Sequence, residues 1–205
     1  MEYLLGGTLV VLLAILAVFA WPNVVCPWLE GRAWRRLADR AGLTYRRSRV
    51  LGIPRRGRVV GSYRGRDLTL DTYRDLGLGL RMRILLSVRN PIGGSMLICG
   101  LPWTDREDRQ VDGRGDRPFT IAQSEPGDLA AKVFAAADLH EGMWSVVQEM
   151  RVRDYRIDLS DYVLRFEQEP RTFCFLSVER QADRLQALLD VLCNIAEAAE
   201  EVIAR

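Results

Sequence analysis

A chain of 205 residues that is 48% hydrophobic and 27% charged, with a formal net charge of +2, has room for one domain plus an appendage. That composition excludes a disordered chain, a collagen-like repeat and a polybasic nucleic-acid tail. Four cysteines without C-x-x-C spacing and a single histidine leave little material for a zinc site or a disulfide framework. The small net charge hides an asymmetry. Of 29 basic residues 28 are Arg, Lys132 being the one Lys. From Pro22 to Arg89 there are 16 Arg against 5 acids, a net of +11; from Asn90 to Arg205 there are 13 basic residues against 21 acids, a net of −8.

The N-terminal stretch carries the strongest signal. No charged residue lies between Glu2 and Glu30, and Tyr3 to Trp21 holds eleven Leu, Ile, Val or Phe residues. At 1.5 Å per residue this run spans roughly 28 Å, close to the hydrocarbon thickness of a bilayer. It predicts a transmembrane helix, with residues 1–28 as anchor and interfacial flank. Trp21 and Trp28, beside Pro22 and Pro27, suit the headgroup level. The alternative of a cleaved signal peptide is disfavoured by an n-region without Lys or Arg and by an awkward Trp21-Pro22 start after Ala20. Arg32, Arg35, Arg36 and Arg40 follow the run, and none precedes it. The positive-inside bias therefore predicts a single-pass inner-membrane protein, N-terminus outside and residues 29–205 in the cytoplasm. The same four Arg could touch anionic lipid, and a cytoplasmic setting fits Cys26, Cys99, Cys174 and Cys193 as reduced packing residues.

The soluble part predicts an α+β fold. Leu29–Leu43 has helical spacing, with Trp34, Leu37 and Ala38 on one face and Gly42 as a stop. Residues 58–63 and 66–73 alternate as strands around an Arg64-Gly65 turn. Leu80–Val88 repeats with period 2, Asn90–Gly94 breaks the chain, and Ser95–Cys99 resumes. These four predict an antiparallel meander. Residues 102–118 read as a flexible loop. Phe119–Ala122 reads as a strand, with helices opening at Ser124 or Glu125 and at Asp138. A second hairpin turns at Ser160-Asp161. Thr172–Val178 reads equally as strand or loop. The apolar stripe Leu185, Leu188, Leu189, Leu192, Ile195, Ala196, Ala199, Val202 and Ile203 predicts a long amphipathic C-terminal helix covering the sheet.

No hydrolase, kinase or nucleotide-fold signature appears in the sequence. Gly57, Gly61 and Gly65 lack a following Lys-Ser/Thr and helix, so they make no phosphate loop. Asp105, Glu107, Asp108, Asp112 and Asp116 miss calcium-loop spacing and lie among Arg106, Arg109, Arg114 and Arg117. His140 has only Glu141 beside it, and Asp154, Asp158 and Asp161 have strand and turn spacing. No catalytic, cofactor-binding or metal residue is assigned. Arg55, Arg56, Arg58, Arg64 and Arg66 near Tyr63 and Tyr73 could serve nucleic acid, but no recognition motif is present and the acidic half opposes a polyanion.

The order of an N-terminal span, W-x-x-LA-x-x-x-GL (Trp34, Leu37, Ala38, Gly42, Leu43), G-x-Y-x-G-R (Gly61, Tyr63, Gly65, Arg66) and a closing amphipathic helix resembles uncharacterised bacterial single-span membrane proteins carrying a domain of unknown function. The resemblance implies no activity or site. The expected function is a membrane-anchored, non-catalytic interaction module with a protein partner or a second copy of itself. The alternatives are an enzyme whose site is assembled from dispersed residues, and an exported or periplasmic domain.

Overall fold

The computed structural model describes residues 21, 25–50, 53–75, 79–90, 93–100, 119–136, 155–168 and 177–204. In chain order these form α1 (Cys26–Ala41), β1 (Thr44–Val50), β2 (Ile53–Tyr63), β3 (Arg66–Asp75), β4 (Gly79–Ser87), β5 (Ser95–Gly100), β6 (Phe119–Glu125), α2 (Leu129–Ala136), β7 (Tyr155–Ser160), β8 (Val163–Gln168) and α3 (Val178–Ala204). All eight strands join one antiparallel sheet in the order β1-β2-β3-β4-β8-β7-β5-β6.

The expected fold class is corrected on two counts. No helix among the described residues is long and apolar enough to cross a membrane. The helix that follows the apolar run, α1, is 16 residues long and carries four Arg; the 27-residue α3 carries a charged face along its length. The predicted transmembrane helix is thus no part of the described fold, and of its segment only Trp21 lies within the described residues. Secondly, the sheet is not a four-stranded meander. β1 completes a meander with β2, β3 and β4, and the β7–β8 hairpin is inserted between β4 and β5.

Asn90 explains the insertion. Its buried side chain donates from Nδ2 to Gly94 O and to Asp161 O, both at 2.6 Å, and its Oδ1 accepts from Gly94 N–H at 2.9 Å. Val88 N–H also donates to Tyr162 O at 2.8 Å. The β4–β5 connection is therefore pinned across the β7–β8 turn. The expected chain break at Asn90–Gly94 is a built crossing, and losing those bonds would leave buried amide groups unpaired.

Local signals act as the residue types predict. α1 ends at Gly42 (φ 66°), whose N–H returns to Ala38 O. The Arg64-Gly65 turn has both residues at positive φ, 50° and 76°, the pattern of a two-residue hairpin turn. The second hairpin turns one residue later than expected, with Asp161 at φ 51°. Ser124 does not open its helix directly; its hydroxyl accepts from Ala130 N–H at 3.0 Å in the first turn of α2. Ser177 accepts from Arg180 N–H at the start of α3.

One face of the sheet is apolar. Val59, Leu68, Leu70, Met82, Ile84, Leu86, Met96, Ile98, Ile157, Leu159, Leu164 and Phe166 alternate inward and are buried, as period 2 demands. α1 contributes Trp34, Leu37 and Ala38, α2 contributes Leu129, Val133 and Phe134, and α3 contributes Leu185, Leu188, Leu189, Leu192, Ile195, Ala196, Ala199 and Ile203 to the same core. All three described helices therefore lie on one side. The layers are helix on sheet, and the other face of the sheet is left to polar side chains.

Candidate functional site on the polar face of the sheet

A one-residue offset along each strand leads from the core to the opposite face. There one cross-strand row runs through six strands: Arg46 on β1, Arg58 on β2, Asp71 on β3, Arg83 on β4, Glu167 on β8 and Arg156 on β7. Cys99 and Thr120 continue the row on β5 and β6. From Arg58 inward, charge alternates at every strand. Opposite charges facing across a ladder contribute roughly 0.2–1 kcal/mol each.

The pairs are ordered. Arg83 grips Asp71 as a fork, Nε to Oδ1 and Nη2 to Oδ2, both at 3.0 Å. The same guanidinium lies 4.8 Å from the centroid of the Tyr73 ring. The hydrogen bonds to Asp71 raise the Arg83 pKa above its ordinary value, against the desolvation that opposes the charge. Arg58 reaches Asp71 at 3.9 Å and Thr69 Oγ1 at 3.5 Å. Arg156 and Asp158 meet at 3.5 Å, and Arg165 and Glu167 at 3.8 Å. Glu167 is 8% exposed and Arg81, opposite Tyr73, is 5% exposed. A neighbouring row, Val60, Thr69, Leu85, Arg165, Asp158 and Leu97, mixes apolar and charged side chains. The face is a pre-ordered checkerboard of guanidinium, carboxylate and aliphatic groups.

Asp71, Asp158 and Glu167 each lie against an Arg: Arg83, Arg156 and Arg165. Among the described residues no three His, Cys, Asp or Glu side chains gather as metal ligands. His140, the 102–118 acids, Cys174 and Asp154 lie outside the described residues.

A second polar zone lies on the helix side, along α3. Arg36 meets Glu179 at 3.0 Å and Arg40 meets Asp183 at 2.5 Å. Tyr63 donates to Asp190 at 2.8 Å, and Arg64 meets Asn194 and Glu197 at 2.8 and 3.1 Å. Arg66 forms a fork on Glu200 at 2.6 and 2.9 Å and also donates to Ser87 O, while Arg89 N–H donates to Glu200. The bond from Arg66 lowers the Glu200 pKa. Burial, and the carboxylate of Asp190, push the Tyr63 phenol up to about 12. The basic and acidic halves of the chain thus meet as an intramolecular zipper.

The predicted site residues are spread over these zones. Arg36 and Arg40 are bound into the zipper. Arg32 lies over the Trp28 ring at 4.7 Å and Arg35 over the Tyr45 ring at 5.4 Å. Trp21 and Trp28 are each 46% exposed. The nucleic-acid constellation is taken apart: Tyr73 and Arg58 are on the polar face, whereas Tyr63, Arg64 and Arg66 serve the zipper. The side chains of Arg55 and Arg56 lie outside the described set. The polar-face row was missed because Glu167, Arg156 and Asp158 are far in sequence from Asp71 and Arg83. The one available signal was the Arg81, Arg83 and Arg165, Glu167 alternation within single strands.

Comparison of the sequence with protein-family models and with curated proteins gives no match, so the family resemblance drawn from the sequence gains no support there. Among solved structures, the chain is similar to the crystal structure of the mycobacterial trehalose monomycolate transport factor A, TtfA, with a TM-score of 0.48 and 11% identity over 82% of this chain and 93% of that one.

Proposed function

We propose that this chain is a non-catalytic interaction module that docks a protein partner on the polar face of its sheet. The observation that carries the reading is the checkerboard itself. Its Arg and Tyr side chains are already held by internal partners, so a protein docking there orders few new rotamers. Arg and Tyr are also the residue types enriched where interfaces are tightest.

The finer reading is a membrane-associated module on the cytoplasmic side. It is supported by the uncharged run from Tyr3 to Leu29 and by the Arg residues that follow it and not precede it. The three described cysteines, Cys26, Cys99 and Cys193, are free thiols, which agrees with a reducing compartment.

A photo-crosslinking amino acid at Leu85 or Leu97, on the polar face, should give a discrete adduct in cells, and one at Gln186 on α3 should not. An adduct at twice the mass of the chain would identify the partner as a second copy. Equal labelling from both faces, or none from the sheet, would refute the docking surface. Paired reporters fused at Arg205 test the compartment: activity only outside the cell overturns the cytoplasmic side.

A further inference from the structure

We infer that the outward stripe of α1, together with Arg47 of β1, is a docking surface for an anionic lipid bilayer; the inference rests on the membrane association proposed above. The stripe is set by helical spacing. Trp28, Arg32, Arg35 and Asp39 follow at intervals of four, three and four residues, so they line one side of α1. Cys26, Glu30, Ala33, Trp34, Leu37 and Ala38 are buried on the other. Arg36 and Arg40 fall between the two sides, and α3 takes both of them through Glu179 and Asp183.

What remains outward is a different set from the four Arg that the sequence suggests. Arg32 and Arg35 have no carboxylate partner among the described residues; the guanidinium of each instead lies over an aromatic ring, 4.7 Å from the centroid of Trp28 and 5.4 Å from that of Tyr45. Arg47 is exposed and electrostatically coupled to the same Tyr45. A guanidinium whose neighbour is a ring rather than a carboxylate has N–H donors left for phosphate oxygens. Asp39 is the one exposed acid on the stripe, which leaves three cations against one anion.

Two observations favour a bilayer over a soluble polyanion. Trp28 is 46% exposed beneath Arg32, and Trp21, equally exposed, precedes α1 by five residues. An indole with one wet and one apolar side suits the headgroup level, and Arg stems can lie along it. The uncharged run of the sequence also leads directly into α1 and would deliver this stripe to the interface. Each Arg near an anionic surface changes affinity by about fivefold, so loss of three should weaken docking roughly 100-fold.

The test uses the full chain added to preformed vesicles of phosphatidylcholine alone or with phosphatidylglycerol, each with and without brominated lipid. Flotation reports association of the chain with membrane. The fluorescence difference between wild type and Trp28→Phe reports quenching of Trp28. The expected result is Trp28 quenching that is several-fold stronger on anionic vesicles. It should be lost in Arg32→Gln/Arg35→Gln/Arg47→Gln and retained in Arg36→Gln/Arg40→Gln. A chain that floats with Trp28 unquenched, or quenched equally on neutral vesicles, refutes the docking surface and leaves membrane association standing. A chain that does not float refutes both. If a single-stranded oligonucleotide perturbs Trp28 and vesicles do not, the surface belongs to nucleic acid and the inference is wrong.

Discussion

Glu200 is the carboxylate on which the zipper closes, and replacing it with Gln tests whether the zipper stabilises the fold. The substitution keeps the shape of the side chain and removes its charge. Arg66 then stays at the sheet–helix boundary, 9% exposed, with a neutral partner. Fully buried pairs cost about 3–5 kcal/mol to break, and exposed ones about 0–1 kcal/mol. With side-chain exposures of 11% and 23%, the Arg66–Glu200 pair lies between these limits. Glu200 also accepts the Arg89 N–H. A loss of roughly 2–3 kcal/mol follows, which is a fall in Tm of about 5–10 °C for a domain of this size. The control is Glu197→Gln, whose pair with Arg64 has side chains 47% and 39% exposed; it should cost less than about 1 kcal/mol. The sign of the pH dependence is fixed by the lowered pKa of Glu200. Its contribution is complete above the usual carboxylate range and disappears as pH falls through the folded value. The gap between wild type and Glu200→Gln in urea unfolding should therefore be full at pH 7 and close in acid. If the two substitutions cost the same, or if the Glu200 gap persists unchanged at pH 3, the pair is not the stabilising element inferred here.

Three further outcomes follow from the same geometry. Tyr63 carries a phenol pKa of about 12 because of burial and Asp190; its contribution is intact below pH 10 and is lost as pH rises through 12, so Tyr63→Phe should shrink the alkaline fall in stability measured by circular dichroism. Gly65→Val forces a β-branched residue to φ 76° and should cost roughly 1–2 kcal/mol in urea unfolding, whereas Ser62→Val, two residues before the turn, should not. In a Cys174→Ser background, partly exposed Cys99 should react with a thiol reagent faster than buried Cys26 or buried Cys193, and burial also raises the pKa of the Cys193 thiol; equal rates for all three would contradict the described burial.

Local patterns were legible where one chemical cause decided the outcome. Gly42 stops α1 and Arg64-Gly65 turns a hairpin because few residues accept positive φ. The α3 stripe was legible because nine apolar positions repeat on one helical face. β1 was hidden: Thr44–Val50 holds three Arg in seven residues and reads as a charged flank. It is an edge strand, where charge deters further pairing. Irregular registers at both edges, between Arg46 and Ser48 on β1 and between Leu97 and Ile98 against β6, blunt the sheet in the same way. The insertion of β7–β8 beside β4 was not legible at all. It depends on Asn90 reaching a turn 71 residues away, and nothing in either local pattern encodes that distance.

Much of the charge asymmetry is consumed within the molecule. An Arg-rich half read alone points to lipid or nucleic acid. The register of α3 against α1 and the β2–β3 hairpin decides otherwise for five of those Arg or their neighbours. Arg36, Arg40, Arg64 and Arg66 face Glu179, Asp183, Glu197 and Glu200, and Tyr63 faces Asp190. A guanidinium held in a fork would have to give up that carboxylate to bind phosphate, so the internal pair competes with any external anion. The cations left for an external anion are those whose neighbours are rings or other Arg. Arg46 stands directly opposite Arg58, a like-charge pair that destabilises an isolated ladder and that an anionic group from outside would relieve. Arg32, Arg35 and Arg47 stand beside Trp28 and Tyr45. Arg32, Arg35, Arg46 and Arg47 are thereby gathered on α1 and β1, at one edge of the domain.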